Sequence, residues 1–263
     1  MQIDLSTIKI LIYLALACYA ASTIFFTAKN KNAGRHLLAS AFAAAAAAFI
    51  FRWITVKHIP MQNLFEVFLT LGFLLYPIAF FTKRLLAIPI NIADSLLGFI
   101  ILFPAGFIFS SQPKLLPPAL QSWLFGPHVA VYMLSYLLLA KAAWLAFLQL
   151  KSNKHRENTI NLNHEKNAYT LTCAAFPLLT AGLLLGCFWA KIAWGDYWDW
   201  DPKELWSLAT WLVFVGYFHF RYKNGTKSTR ANSIWIITGF IFIIITLLWV
   251  NLSRIFAGLH SYA

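Results

Sequence analysis

The chain has 263 residues, of which 60% are hydrophobic, 17% aromatic and only 11% charged, with a mean hydropathy of +0.66. Soluble domains carry roughly 25% charged residues, so a water-soluble fold is excluded. The formal net charge of +12 points less to nucleic acid than to the Lys and Arg that membrane proteins gather in cytoplasmic connections.

Eight apolar stretches reach or approach the ~20 residues that a spanning helix needs. They lie near 7–27, 36–56, 63–82, 87–110, 127–150, 168–193, 203–220 and 233–257. The first is long and follows Asp4 rather than a basic cluster, so no removable signal peptide is expected. The second holds a small-residue run, Ala41 to Ala48, suited to close helix packing. The fourth contains Asp94 and two prolines, and the seventh is short. Cys18, Cys173 and Cys187 sit inside apolar runs without a CxxC pair. They read as small apolar fillers, and neither thiol redox chemistry nor a zinc site is supported. The expected fold is all-α: a polytopic integral membrane helical bundle of about eight transmembrane helices, forming a single membrane domain over 1–263.

Charge orients the bundle. One set of connections holds Lys29, Lys31 and Arg35; Lys83 and Arg84; Lys151, Lys154, Arg156 and Lys166; and Arg221, Lys223, Lys227 and Arg230. These are most of the 21 basic residues, which makes that side cytoplasmic. With an even helix count both termini lie outside. The connections near 57–62, 111–126 and 194–202 lie outside as well.

The outside connection Trp194-Gly195-Asp196-Tyr197-Trp198-Asp199-Trp200-Asp201-Pro202-Lys203-Glu204-Leu205-Trp206 concentrates four Trp, a Tyr and four carboxylates. Asp201-Pro202-Lys203-Glu204 reads as a helix start. Asp201 is the N-cap, Pro202 takes the first helical position and Glu204 completes a capping box. Upstream, alternation over Trp198-Asp199-Trp200-Asp201 would send rings one way and carboxylates the other if the segment is extended. As a short helix, it would put Trp194 and Trp198 on one face. Either arrangement makes an apolar platform for a flat ligand, with indole N–H groups and Lys203 for its polar edge. An interfacial aromatic belt is the plainer reading, but a belt needs neither four carboxylates nor a capped helix start.

Of seven histidines, His36, His155 and His164 lie in or beside basic connections, as solvated surface residues would. His58 precedes the third stretch, where it can bond the turn. His128 opens the fifth stretch and His260 closes the eighth, both at the level of the Trp-rich connection. Two imidazoles at one depth beside an aromatic platform can supply both axial ligands of a haem iron; two unrelated interfacial histidines fit the spacing as well. His219 lies 17 residues after Pro202, roughly 25 Å along a helix, near the cytoplasmic end. An ionisable residue there is a functional candidate. A second, inner haem site and an imidazole reaching for the headgroups are both open readings.

Trp194-Gly195-x-x-Trp198-x-Trp200-Asp201-Pro202-Lys203-Glu204-x-Trp206-Ser207-Leu208 resembles the WWD motif of haem-handling proteins in cytochrome c biogenesis, most closely the CcsA (ResC) branch of the System II pathway. The similarity extends to His58-x-Pro60-x-x-Asn63-Leu64-x-Glu66, to His128 before Ser135-Tyr136, to His219 before Arg221, and to the terminal Gly258-Leu259-His260-Ser261-Tyr262. The resemblance implies that haem b is carried to the outer face. It implies that His128 and His260 hold the iron there against the WWD stretch, whose cofactor-binding residues would be Trp194, Trp198, Asp199, Trp200, Asp201, Lys203 and Trp206. Attachment to the CxxCH motif of apocytochrome c follows, with the chain acting as a subunit of a cytochrome c haem lyase and no side chain as a covalent catalyst. His219 matches an inner iron ligand paired with one from a partner. Implied partners are a CcsB/ResB-like membrane protein, apocytochrome c and a thiol-reducing protein. The implied location is a bacterial inner membrane or a thylakoid membrane. The competing readings are a CcmC-like protein that hands haem to a chaperone, and a non-haem transporter or structural subunit.

Overall fold

A computed structural model describes residues 5–151 and 158–252, which fold as two compact units, Met1–Gln121 and Ser122–Ala263. The described residues form helices joined by short connections, without a strand. Six helical runs are long and apolar enough to cross a membrane, one of them the continuous stretch Pro202–Leu252. The chain is an integral membrane helical bundle.

The first unit contains α1 (Leu5–Thr27), α2 (Lys31–Val56), α3 (Leu64–Leu85) and α4 (Ile92–Phe107). The alanine run of α2 buries Ala41, Ala44, Ala45 and Ala48. Those positions share one helical face, and α2 packs closely on α1. Tyr19 of α1 reaches across the unit. Its ring lies over Gly98 of α4, and its hydroxyl donates to the Gly72 carbonyl of α3 at 2.8 Å. The fourth helix is shorter than the 87–110 expected. Asn91 and Asp94 form a reciprocal capping box that starts it at Ile92, and it ends three residues after Pro104.

The second unit contains α5 (Phe125–Lys151), α6 (Asn158–Trp194), α7 (Pro202–Asn224) and α8 (Thr229–Ile244). A π turn at Ile245–Trp249 and a last helical turn, Val250–Leu252, continue α8. Helix α6 starts ten residues before the apolar run that signalled it; its polar beginning is tied down by an ion pair from Glu165 to Arg221 of α7. Asn232 of α8 joins the same knot, donating to Glu165 Oε1 and to the Gly225 carbonyl, each at 3.1 Å. Gly225, at φ +58, turns α7 into α8. Their contacts run antiparallel, from Phe220 against Trp235 near the turn to Trp206 against Phe242 away from it. Helices α5 and α6 are antiparallel too, since Ser135 bonds the Ala175 carbonyl while Phe125 meets Trp189. One end of this unit therefore gathers the start of α5, the end of α6, the start of α7 and the tail of α8.

Candidate functional site

The Trp-rich connection lies at that end, and its shape is set by two of its own carboxylates. Asp201 Oδ1 accepts from the Lys203 N–H at 2.8 Å, and Pro202 takes the first helical position. Glu204 Oε2 accepts from the backbone N–H groups of both Asp201, at 3.2 Å, and Asp199, at 2.8 Å. The expected capping box is present, and its glutamate also ties down the loop two residues further upstream. Asp201 and Glu204 are buried, whereas Asp196 and Asp199 are exposed.

Residues 195–201 are non-helical, so Trp194 and Trp198 do not share a helical face. Nor is the segment a regular extended strand, because Trp200 sits at φ +58. That left-handed residue breaks the alternation. The rings of Trp198 and Trp200 meet edge to face at 6.0 Å, with Trp200 exposed and Trp198 half-buried. The Trp198 indole N–H is buried without a hydrogen-bond partner. Leaving such a donor unmatched costs about 1–3 kcal/mol, so the site suits an anionic or carbonyl acceptor. Trp206 points elsewhere and packs against Phe242 of α8 at 5.3 Å.

His128 lies in the first turn of α5. Its Nδ1 is 2.9 Å from the Gly182 carbonyl of α6. A carbonyl only accepts, so Nδ1 carries the proton and Nε2 the lone pair, the tautomer suited to binding a metal. The imidazole stacks on Trp189 at 5.6 Å and 27° and meets Tyr132 edge-on at 5.1 Å. Trp189 in turn meets Trp194 at 4.8 Å. An unbroken aromatic contact thus runs from the histidine to the first tryptophan of the connection. Room for it comes from Gly182 and Gly186, one turn apart on α6. A Cβ on Gly186 would stand 2.7 Å from His128 Cε1, and one on Gly182 would stand 2.9 Å from the Tyr132 ring.

Trp189, Tyr132 and the two glycines did not stand out in the sequence reading. The Gly182-x-x-x-Gly186 spacing, a signature of close helix approach, was the available signal. His260 lies outside the described residues. The described part of α8 ends at Leu252, after a π turn that contacts α7.

His219 is not part of this cluster. It lies on the same helix as the capping box but 17 residues along it, roughly 25 Å away. It is exposed, and its Nδ1 donates to the Val215 carbonyl at 2.9 Å, again leaving Nε2 as the lone-pair nitrogen. It borders an open apolar groove of about 410 Å³ between α6 and α7, lined by Cys173, Phe176, Pro177, Val215, Phe218 and His219.

Most of the chain's length is matched by known proteins. The family model for cytochrome c assembly proteins matches residues 5–257. Among proteins named cytochrome c biogenesis protein CcsA, that of Chlamydomonas reinhardtii is 36% identical over 229 residues, covering 80% of this chain and 63% of the relative's length. One from Prochlorococcus marinus is 34% identical, covering 89% of this chain and 84% of its own. One from Trieres chinensis is 32% identical, covering 94% and 92%. The solved structure of the cytochrome c heme lyase CcmF superimposes with a TM-score of 0.70 at 19% identity, over 94% of this chain and 47% of that one, so the two share a fold. The chain belongs to the cytochrome c assembly protein family, in its CcsA branch. It is thus an integral membrane protein of cytochrome c biogenesis.

Proposed function

We propose that the chain binds haem b as cargo, carries it to the outer face of the membrane and presents it for attachment to the CxxCH motif of apocytochrome c. The observation that carries this reading is the contact from His128 through Trp189 to Trp194, with the imidazole fixed by Gly182 so that Nε2 is the donor nitrogen. His128 is one axial ligand and His260 the other. Trp194, Trp198 and Trp200 wall the site, and the unmatched Trp198 N–H, together with Lys203, meets a propionate. Asp199, Asp201 and Trp206 act through the backbone and the helix packing that hold the wall.

The chain's own contribution is orientation. A rigid aromatic wall and two imidazoles hold the vinyl groups beside the incoming thiols, which turns a bimolecular encounter into a positioned one. Each thiol then adds its sulfur and its hydrogen across one vinyl group without net redox change. The thiols must arrive reduced, which assigns a thiol-reducing protein to the pathway.

His219, beside an open apolar groove, is an inner ligand whose opposite ligand comes from a CcsB/ResB-like partner. The membrane is the bacterial inner membrane or the thylakoid, with the Trp-rich mouth on the periplasmic or lumenal side. The test is the absorption spectrum of the chain purified in detergent with its partner from haem-sufficient cells. A Soret band with sharp low-spin bands on reduction is expected. His128→Ala should weaken those bands, and added imidazole should restore them. A colourless preparation sinks the proposal.

A further inference from the structure

Helix α4 has 16 residues, about 24 Å at 1.5 Å per residue, whereas the hydrocarbon core is about 30 Å thick. The deficit is about one helical turn. The chain leaves the helix at Phe107 and Ile108, 61% and 63% exposed, and continues without regular structure. Phe109 stacks on Phe68, near the start of α3, at 5.5 Å. Irregular backbone is excluded from the lipid-exposed hydrocarbon core, so such a segment is either buried in protein or lies at the wet interface.

Two buried side chains hold three of its carbonyls. Arg52 donates through Nη1 to the Ser111 carbonyl at 2.6 Å and approaches the Gln112 carbonyl at 3.5 Å. Gln62 donates to the Leu115 carbonyl at 2.8 Å. The Arg52 charge is matched by Glu66, which takes Nε at 2.9 Å and Nη2 at 2.8 Å, with both side chains fully buried. The second Glu66 oxygen accepts from the Gln62 N–H at 2.9 Å. Arg52 lies four residues before the end of α2, about 6 Å inside it, and is followed by the exposed Trp53 and Ile54. That depth matches the missing turn of α4.

We propose that residues 108–116 carry the chain from the end of α4 along the membrane interface as a non-helical segment, with the Ser111 and Gln112 carbonyls taken by Arg52, itself paired with Glu66, and the Leu115 carbonyl by Gln62. Leu115, 95% exposed while its carbonyl is held by Gln62, is the side chain inserted into the acyl region. Lys114 beside it, also exposed, reaches a lipid phosphate, as a cation on a flexible stem does at an interface.

The test uses the full chain with Cys18, Cys173 and Cys187 replaced by Ala, carrying a nitroxide at Leu115→Cys. It is reconstituted in vesicles of phosphatidylcholine and phosphatidylglycerol. The label should collide with oxygen several-fold more than with the water-soluble relaxant NiEDDA, as a label at Ile54→Cys does. Preference for NiEDDA places Leu115 in water and overturns the proposal. Shielding from both reagents means that protein covers Leu115 and overturns it equally. In the Arg52→Met/Glu66→Leu variant the Leu115 label should shift toward NiEDDA while the Ile54 label keeps its preference. An unmoved Leu115 label removes the pair from the role assigned to it.

Discussion

Single atoms decide how His128 is presented. Its imidazole is confined by the Gly182 carbonyl, the Trp189 face and the bare Cα of Gly186. In Gly186→Ala the new methyl would lie 2.7 Å from Cε1, and the ring cannot yield without losing one of its other two contacts. Overpacking of this kind costs about 1–3 kcal/mol. The variant should fold with a lowered melting temperature and bind haem weakly, with altered low-spin bands; a parental spectrum would place His128 away from the iron. Glu204 is the corresponding residue in the loop, since one of its oxygens satisfies the N–H groups of both Asp199 and Asp201. Glu204→Ala orphans two donors and should cost about 2–4 kcal/mol, read as thermal unfolding in detergent. Glu204→Gln keeps a carbonyl acceptor and should lose about 1 kcal/mol at most. Equal losses for the two would show that charge, rather than backbone satisfaction, is what the site needs.

At the scale of elements, the start of α7 was legible because capping is local. An acceptor, a proline and a glutamate in the right order need no knowledge of the rest of the chain. The start of α4 was equally local in its chemistry, with Asn91 and Asp94 reciprocally placed. It was hidden by apolar residues that continue through the capped position on both sides. Trp189 was illegible for a different reason. A tryptophan inside an apolar run looks the same whether it faces lipid, core or a histidine, and only the seating of α5 on Gly182 and Gly186 decides. The π turn at Ile245–Trp249 leaves no sequence signal of its own. It accommodates one extra residue in the helical ladder, so removing Leu247 should restore an α-helix and leave the residues beyond it on the same face. Such a variant should keep its helix content by circular dichroism and its low-spin bands. Changed bands would show that the π turn itself is needed to present the iron ligand.

For the molecule as a whole, the decisive quantity is the separation of the two histidine positions. The mouth at His128 and the groove at His219 lie at opposite ends of the same unit, roughly 25 Å apart along α7. They share none of the contacts described for either. Residues that far apart without common partners act additively within about 0.5 kcal/mol. If haem occupies both positions, His128→Ala and His219→Ala should each remove a distinct fraction of bound haem. The double variant should lose the sum in free energy, and added imidazole should restore each fraction separately. The two losses should also depend differently on the partner. The His219 groove is open and apolar and presents one imidazole, so its haem needs a ligand from outside the chain and should vanish when the partner is omitted. If His260 of the same chain completes the outer site, as proposed, the His128 fraction should survive that omission once haem is supplied from the outer side. A double variant no worse than either single one would mean that the two histidines serve one haem in succession, with the outer position filled only through the inner.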